Sequence, residues 1–180
     1  MRSALPKEWA KPYETAPRMG RAYPLAYRRG HRGFGIAMTD TTGADVLANS
    51  FHQAGVTRIF GVPGGGSSLD LIEAAKQAGI DLVLARHEMS AIVMAATTAE
   101  LAGTPGVALC TRGPGVGNAA NGMAQAALDR APVVLVADGF SPNERAYATH
   151  QYFDHAAMLA PVTKDAVQVG QWGPAKQPPA

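Results

Sequence analysis

The sequence contains a single cysteine, Cys110, among its 180 residues. One cysteine excludes a disulfide within the chain, so we expect a reducing compartment and predict a cytoplasmic location. Cys110 lies in an apolar segment, which is typical of a small buried core residue. No apolar run approaches the length of a membrane-spanning helix, and no stretch has the continuous apolar segment of a secretory signal. We therefore expect no contact with a membrane.

Charged residues are also scarce, at 17% of the chain, whereas hydrophobic residues make up 47%. This composition is typical of a globular protein. The formal net charge of +2 comes from residues 1–37, which hold eight lysines and arginines against two acids, whereas residues 38–180 hold eight against twelve. Because the positive excess lies outside the expected globular part, we predict no surface for nucleic acid.

The amino-terminal region differs from the rest of the chain. Residues 1–37 contain four prolines and six arginines and show no helical or strand periodicity, so we predict a disordered basic extension. An organelle transit peptide is the alternative, although the prolines would interrupt an amphipathic helix and serine is scarce. We predict one folded domain over residues 38–169 and a proline-containing tail or linker over residues 170–180.

Short apolar segments bounded by glycine or proline alternate with alanine-rich helical segments from residue 42 onwards. This alternation is typical of βαβ units and predicts an α/β fold with a mainly parallel sheet and helices on both faces. The segment 132–137 is apolar throughout and is therefore expected to be a central strand. Strands are predicted over residues 56–62, 80–85, 107–110, 132–137 and 162–169, and helices over residues 42–54, 69–78, 88–102 and 118–128, with a short helix within 149–159.

Local signals predict how two of these helices begin. Thr42 and Asp45 have the spacing of a capping box, with aspartate in place of the usual glutamate. Ser67 or Ser68 is expected to cap the second helix. The buried face of the first helix is predicted to comprise Val46, Leu47, Ser50, Phe51 and Ala54.

Glu88 is the most informative residue of the chain. It opens a predicted helix whose apolar stripe continues at helical spacing through Ala91, Ile92, Ala95 and Ala99. The carboxyl group therefore shares the buried face of that helix. Burial favours the neutral form of a carboxyl group and the positive end of a helix favours the charged form, so a carboxyl group placed there is suited to exchanging a proton. The alternative is a first-turn acid that complements the helix dipole with its head in solvent.

Several familiar motifs are approached but not completed. The glycine-rich loop 61–66 has the spacing of a P-loop, but Ser67 stands where a lysine is required. The glycines within 113–117 lack the third glycine of a dinucleotide fingerprint. The pair His87-Glu88 lacks the second histidine of a zinc-protease helix, and no serine is framed as a nucleophile elbow. These observations argue against nucleotide, zinc-protease and serine-hydrolase functions.

Three polar residues near the carboxyl end, His150, Asp154 and His155, form another candidate for a metal or acid–base cluster. Their segment has no regular pattern, so ordinary solvent-facing side chains are the favoured interpretation. We therefore predict no metal site built from this chain alone.

Four motifs occur together in one order along the chain. They are Phe60-Gly61-Val62-Pro63-Gly64-Gly65, Arg86-His87-Glu88, Gly113-Pro114-Gly115 with Asn118, and Pro161-Val162-Thr163-Lys164. In this order they resemble the N-terminal, pyrimidine-binding domain of thiamine diphosphate (ThDP) enzymes, in the acetolactate synthase-like group. The resemblance covers about residues 38–169 and is specific for the family and weak for the substrate.

The resemblance implies a role for each of these motifs. Glu88 would be the catalytic residue, hydrogen-bonded to a ring nitrogen of the cofactor's aminopyrimidine, which leads to removal of the thiazolium C2 proton and to attack on a 2-oxo acid. Gln151 would lie near the substrate. Its neighbours His150 and Tyr152 depart from the acetolactate synthase pattern and leave the 2-oxo acid open. The residues implied to line the cofactor pocket are Pro63, Gly64, Gly65, Gly113, Gly115 and Asn118, with simple tight turns as the alternative for the glycines.

The resemblance also implies a partner. In the family, the diphosphate and Mg²⁺ are held in a separate domain by a Gly-Asp-Gly motif and a distant asparagine, and Ala137-Asp138-Gly139 is the nearest string here. We therefore expect a homo-oligomer or a diphosphate-binding partner chain. Three interpretations stay open: a truncated carboligase or decarboxylase that is inactive alone, the small subunit of a split ThDP-dependent 2-oxo acid decarboxylase, or a non-catalytic binding module with the same fold.

Overall fold

Strands and helices alternate along the chain in the computed structural model, which describes residues 42–140 and 150–169. The predicted extension over 1–37 and the predicted tail over 170–180 lie outside these residues. Within the described ranges, no helix combines the length and the hydropathy that a membrane span needs. The elements are α1 (Gly43–Gln53), β1 (Arg58–Val62), α2 (Ser67–Gln77), β2 (Asp81–Leu84), α3 (Glu88–Ala102), β3 (Gly106–Cys110), α4 (Pro114–Asp129), β4 (Val133–Ala137), α5 (His155–Leu159) and a 3₁₀ turn (Ala160–Val162).

The four strands form one sheet in the order β2-β1-β3-β4, and every neighbouring pair is parallel. In this register Ile59 lies between Leu82 and Val107, and Val107 in turn lies beside Val134. Parallel strands need crossover connections, which the intervening helices supply. The predicted α/β fold is therefore confirmed, and the carboxyl ends of all four strands lie at one edge of the sheet.

Side chains alternate between two hydrophobic cores, one on each face of the sheet. Along β3, Ala108 and Cys110 pack with α3 and α4, whereas Val107 and Leu109 pack with α1 and α2. The helix α3 lies so close to the sheet that a Cβ atom on Gly106 would overlap the backbone of Ala95. The helices therefore cover both faces, as predicted.

The central position predicted for the segment 132–137 is wrong. In the described part of the chain β4 is an edge strand, and the central strands are β1 and β3, of which β3 is buried along its whole length. Val134 of β4 is 41% exposed. An uninterrupted apolar run shows that both faces of a strand tolerate apolar residues, but it carries no information on the neighbouring strand.

The last predicted strand, over residues 162–169, is also wrong. Val162 ends the 3₁₀ turn and the residues from 163 to 169 form no strand. Val167 and Val169 are both exposed. β-Branched residues favour strands mainly when a neighbouring strand and a core are available, and here these valines find neither.

The first helix begins as predicted, but its buried face is only partly the predicted one. The capping box is confirmed, since Asp45 N donates to Thr42 Oγ1 at 3.2 Å and Thr42 N donates to Asp45 Oδ2 at 2.8 Å. The predicted face is partly wrong, because Val46, Ser50 and Ala54 are exposed. The side chains that pack in the core are Ala44, Leu47, Ala48 and Phe51, which follow the i, i+3, i+4, i+7 spacing of a helical stripe.

Two helix starts differ from the prediction. The N-cap of α2 is Gly66 without a side-chain cap, so the predicted cap at Ser67 or Ser68 is wrong, and both serines lie in the first turn. The stretch 113–118 is not a separate turn, because α4 already begins at Pro114. Proline suits the first position of a helix, where its missing N–H group would have had no partner.

Candidate functional site

The predicted site residues follow three neighbouring strands at the carboxyl edge of the sheet. Pro63, Gly64 and Gly65 come directly after β1, Glu88 begins α3 after β2, and Gly113 precedes α4 after β3. Since β1 lies between β2 and β3, these three connections meet at adjacent positions of one edge. Ligands of parallel sheets bind at this edge.

Glu88 is a buried acid, with 7% of its surface exposed. It is the first residue of α3 and lies on the same face as the buried Ala91, Ile92 and Ala95. The cap of this helix comes from His87, whose Nδ1 accepts a hydrogen bond from Met89 N at 3.2 Å. Glu88 therefore does not cap the helix, and its carboxylate points towards α4.

The carboxylate of Glu88 meets α4 at Asn118. Asn118 Nδ2 donates to Glu88 Oε2 at 3.1 Å. Across residues 42–140 and 150–169, no group donates to the other carboxylate oxygen, Oε1. A Cβ atom on Gly115 would lie 3.4 Å from Oε1 and 2.8 Å from Thr111 Cγ2. Glycine at position 115 therefore keeps this oxygen uncovered by a side chain.

Gly113 joins the third connection to the carboxyl-terminal segment. Its φ angle is +64°, and a Cβ atom there would overlap the carbonyl oxygen of Gln151 and lie 2.7 Å from the Gln151 Cβ. Its N–H donates to Nε2 of His155 at 2.9 Å. Gln151 itself has a φ angle of +62°. Positive φ angles are rare outside glycine, so Gly113 meets both a conformational and a steric demand.

The two glycines after Pro63 have different surroundings. A Cβ atom on Gly64 would overlap Thr111 Oγ1 and lie 2.5 Å from Asp138 Oδ2, whereas one on Gly65 would meet nothing within 4 Å. Gly64 N donates to Ser68 Oγ at 3.2 Å. The close packing of the loop therefore explains a glycine at position 64, while position 65 faces open space.

Thr111 was not singled out from the sequence, and Asp138 was noted only as part of the string Ala137-Asp138-Gly139. Thr111 follows β3 and contacts the Cβ positions of both Gly64 and Gly115. Asp138 follows β4, is 3% exposed and accepts hydrogen bonds from the first turn of α2. The available signal was their position, since each is the first residue after an apolar strand at the edge where ligands bind.

Cys110 lies at the end of β3, close behind this edge. Its thiol is completely buried, which confirms the predicted core position. Burial raises the pKa of the Cys110 thiol from 9.0 to about 12, and the negative charges of Glu88 and Asp138 act in the same direction. The thiol is therefore a neutral part of the core.

Two residues of the polar cluster near the carboxyl end, Asp154 and His155, make structural hydrogen bonds. Asp154 caps α5 by accepting a hydrogen bond from Ala157 N at 2.9 Å, and His155 accepts one from Gly113 N. The ring of His155 also packs edge-on against Phe153 at 4.9 Å. In the described part of the chain, no group of three or more histidine, cysteine or acidic side chains is placed to hold a metal ion.

Most of the described part of the chain matches a known protein family. Residues 41–158 match the family described as "Thiamine pyrophosphate enzyme, N-terminal TPP binding domain". The matched range contains α1 to α4, β1 to β4 and every predicted site residue, including Glu88 and Gln151.

Similar curated proteins are acetolactate synthases. The chain is 37% identical over 134 residues to acetolactate synthase of Bacillus subtilis (strain 168), a match that covers 74% of this chain and 23% of that protein. It is 38% identical over 128 residues to the catabolic acetolactate synthase of Raoultella terrigena, covering 71% and 22%. The match to the acetolactate synthase isozyme 3 large subunit of Escherichia coli (strain K12) is 37% identical over 131 residues, covering 72% and 23%.

The chain spans less than a quarter of the length of these relatives. The family match, in contrast, covers well over half of the chain and the whole sheet edge described above. The chain therefore belongs to the family of the N-terminal TPP-binding domain of thiamine pyrophosphate enzymes.

Proposed function

We propose that this domain binds the aminopyrimidine half of thiamine diphosphate, with Glu88 as the residue that exchanges a proton with a ring nitrogen. The observation that carries the proposal is the buried carboxylate of Glu88, which has one oxygen held by Asn118 and one that receives no donor from the described residues. Membership of the ThDP-dependent family supports the choice of cofactor.

The residues at this edge fit an aminopyrimidine ring. A protonated carboxyl group can donate a hydrogen bond to a ring nitrogen, and Glu88 Oε1 is the oxygen placed to do so. Gly115 adds no side chain beside this oxygen, since a Cβ atom there would lie 3.4 Å away. An acid oxygen left uncovered in this way can form a hydrogen bond with a ring nitrogen of a bound heteroaromatic group.

Each residue then has a distinct task. Glu88 holds the proton at Oε1 and passes it to or from the ring nitrogen. Asn118 holds Oε2 and so fixes the direction in which the carboxyl group points. Gly113 anchors the start of α4, which carries both Gly115 and Asn118. When bound, thiamine diphosphate supplies the carbon nucleophile needed for decarboxylation or carboligation of a 2-oxo acid.

The reaction that we propose is that of an acetolactate synthase-like carboligase or decarboxylase acting on 2-oxo acids. The acetolactate synthases among the relatives support this choice. Gln151 is the proposed substrate contact, because it packs directly on Gly113 at the carboxyl edge of the sheet. The two residues beside it, His150 and Tyr152, are candidates for tuning the choice of 2-oxo acid.

We further propose that catalysis needs groups outside this domain. By its resemblance to the family, the diphosphate and Mg²⁺ would be held by a second domain or partner chain, in a homo-oligomer or with a separate diphosphate-binding subunit. The domain alone would then be inactive. A cytoplasmic location stays a prediction that rests on the single cysteine.

The test uses thiamine, which carries the aminopyrimidine without the diphosphate, as the probe in NMR titrations of the isotope-labelled protein. We expect changes at Gly115 and at the side-chain amide of Asn118, and a loss of these changes in Glu88→Gln. Glu100→Gln is the matched control, since Glu100 is exposed at the other end of the same helix. Equal changes in both variants, or none in the unmodified protein, would contradict the proposal.

A further inference from the structure

Asp138 is a second buried carboxylate at this edge, and the proposed proton exchange does not use it. Only 3% of its surface is exposed. Its Oδ1 accepts hydrogen bonds from Ser68 N at 2.7 Å and Ser67 Oγ at 2.9 Å, and its Oδ2 accepts one from Ser68 Oγ at 3.0 Å. A buried carboxylate is costly unless several donors satisfy it, and here three do so.

The directions of these hydrogen bonds connect Asp138 to the glycine loop. A serine hydroxyl has one proton, and Ser68 donates it to Asp138 Oδ2. The oxygen of Ser68 is then left as an acceptor, and it accepts from Gly64 N at 3.2 Å. Gly64, Ser68 and Asp138 thus form a chain in which the carboxylate decides the orientation of the hydroxyl group.

The carboxylate also touches the loop directly. A Cβ atom on Gly64 would lie 2.5 Å from Asp138 Oδ2, and one on Gly66 would lie 3.4 Å from Asp138 Oδ1. Gly66 is the N-cap of α2 and supplies no side-chain cap, so the acid arriving from β4 complements the positive end of this helix. The carboxylate of Asp138 therefore occupies the position beside the glycine-rich loop 61–66 at which a P-loop would hold a phosphate group.

We propose that Asp138 is a positioning residue for the loop from Pro63 to Gly66. Through Ser68 it fixes the N–H group of Gly64, and by direct contact it holds the loop against β4 at the carboxyl edge. The contacts of Asp138 with Ser68 and with the loop do not depend on the proposed function. The role of the loop in lining the aminopyrimidine pocket rests on the function proposed above. The same carboxylate closes the α2 terminus to phosphate groups.

The test compares three variants of the full chain by amide hydrogen exchange at Gly64, measured by NMR. In Asp138→Asn an amide donor replaces one acceptor oxygen, and in Ser68→Ala the connecting hydroxyl is lost. We expect Gly64 to exchange about tenfold faster in both, the effect of losing roughly one hydrogen bond. Ser67→Ala removes one bond to the same carboxylate but not the connection, so Gly64 should change by less than about twofold.

Met123→Ala controls for a general loss of stability. Met123 is buried in the core on the α3 and α4 side of the sheet, and its truncation should raise exchange at core amides throughout the domain without singling out Gly64. If Asp138→Asn does not fold, Asp138→Ser, which removes both carboxylate oxygens, takes its place in the comparison. Unchanged exchange at Gly64 in folded Ser68→Ala or Asp138→Asn overturns the proposal, and so does an equal rise in Ser67→Ala.

Thiamine separates this inference from the function on which it builds. If thiamine binds the unmodified protein, the variants with fast Gly64 exchange should bind it at least about threefold more weakly, while Ser67→Ala binds it normally. Equal binding by all variants removes the role of the loop in the pocket. If the unmodified protein does not bind thiamine, the proposed function fails, and the exchange rate of Gly64 still decides whether Asp138 positions the loop.

Discussion

Asn118 donates a hydrogen bond from its side-chain amide to Oε2 of Glu88, at a distance of 3.1 Å. The two residues are 30 positions apart in the sequence; Glu88 is the first residue of α3 and Asn118 is the fifth residue of the neighbouring helix α4. This contact links the connection after β2 to the connection after β3. The proposed proton-exchanging acid is therefore oriented by the helix beside it.

Replacement of this donor by an acid tests the contact. In Asn118→Asp, a second carboxylate would stand within hydrogen-bond distance of Glu88, and two such groups cannot both be ionised without repulsion. We expect the free energy of unfolding at pH 7 to fall by about 1–2 kcal/mol. Urea titrations at pH 7 measure this loss.

Asn121→Asp is the control for that experiment. Asn121 lies on the same helix, is exposed, and donates to Met89 Sδ instead of to a carboxylate. It adds the same charge without pairing it with Glu88, so its effect should stay within about 0.5 kcal/mol. If both variants lose the same stability at pH 7, the contact between Asn118 and Glu88 has no special weight.

Alanine substitutions at the adjacent residues Gly64 and Gly65 should differ in their effect on the free energy of unfolding. In Gly64→Ala the new methyl group would overlap Thr111 Oγ1 and press on Asp138, whereas in Gly65→Ala it would enter open space. We expect Gly64→Ala to lower the free energy of unfolding by about 2 kcal/mol and Gly65→Ala to change it by less than about 0.5 kcal/mol. Chemical denaturation with unchanged slopes measures both, and similar losses would show that the loop packs differently.

Gly103 and Gly113 differ both in backbone conformation and in surroundings. Gly103 has φ +67° and ψ +21°, in the left-handed helical region, and a Cβ atom on it would meet nothing within 4 Å. Gly113 has φ +64° and ψ −118°, outside that region. Gly103→Ala should therefore cost about 1–2 kcal/mol, the penalty of a left-handed alanine. Gly113→Ala should cost at least about 1 kcal/mol more, because its backbone conformation is rarer for alanine and the methyl group would also collide with Gln151. Equal losses in thermal or urea unfolding would remove the contact with Gln151 as a constraint.

The sequence was sufficient for features that depend on neighbouring residues in the chain. The strand and helix alternation, the capping box of Thr42 and Asp45 and the inward face of Glu88 all follow from short-range spacing. The connections after β1, β2 and β3 meet at one edge because parallel strands end together. These predictions needed only the period of the apolar pattern.

Contacts between segments that are far apart in the chain could not be predicted from the sequence. Ser68 and Asp138 are 70 positions apart, and the serine has the same local signal whether it caps its own helix or donates to an acid from another strand. This is why the cap of the second helix was expected at Ser67 or Ser68. The position of β4 at the edge was missed for a similar reason, since strand order depends on pairing between segments and not on their composition.

The buried thiol of Cys110 should make the free energy of unfolding fall as the pH rises in the alkaline range. The pKa of its thiol is raised from 9.0 to about 12, mainly by burial, so the folded protein keeps a proton that the unfolded chain releases above pH 9. Raising the pH above 9 therefore favours unfolding, and the contribution of Cys110 should fall by about 1.4 kcal/mol between pH 8 and pH 10. The measurement is the difference in the free energy of unfolding between the unmodified protein and Cys110→Ala at each pH. Other titrating groups cancel in this difference, and a difference that stays constant with pH would contradict the burial of the thiol.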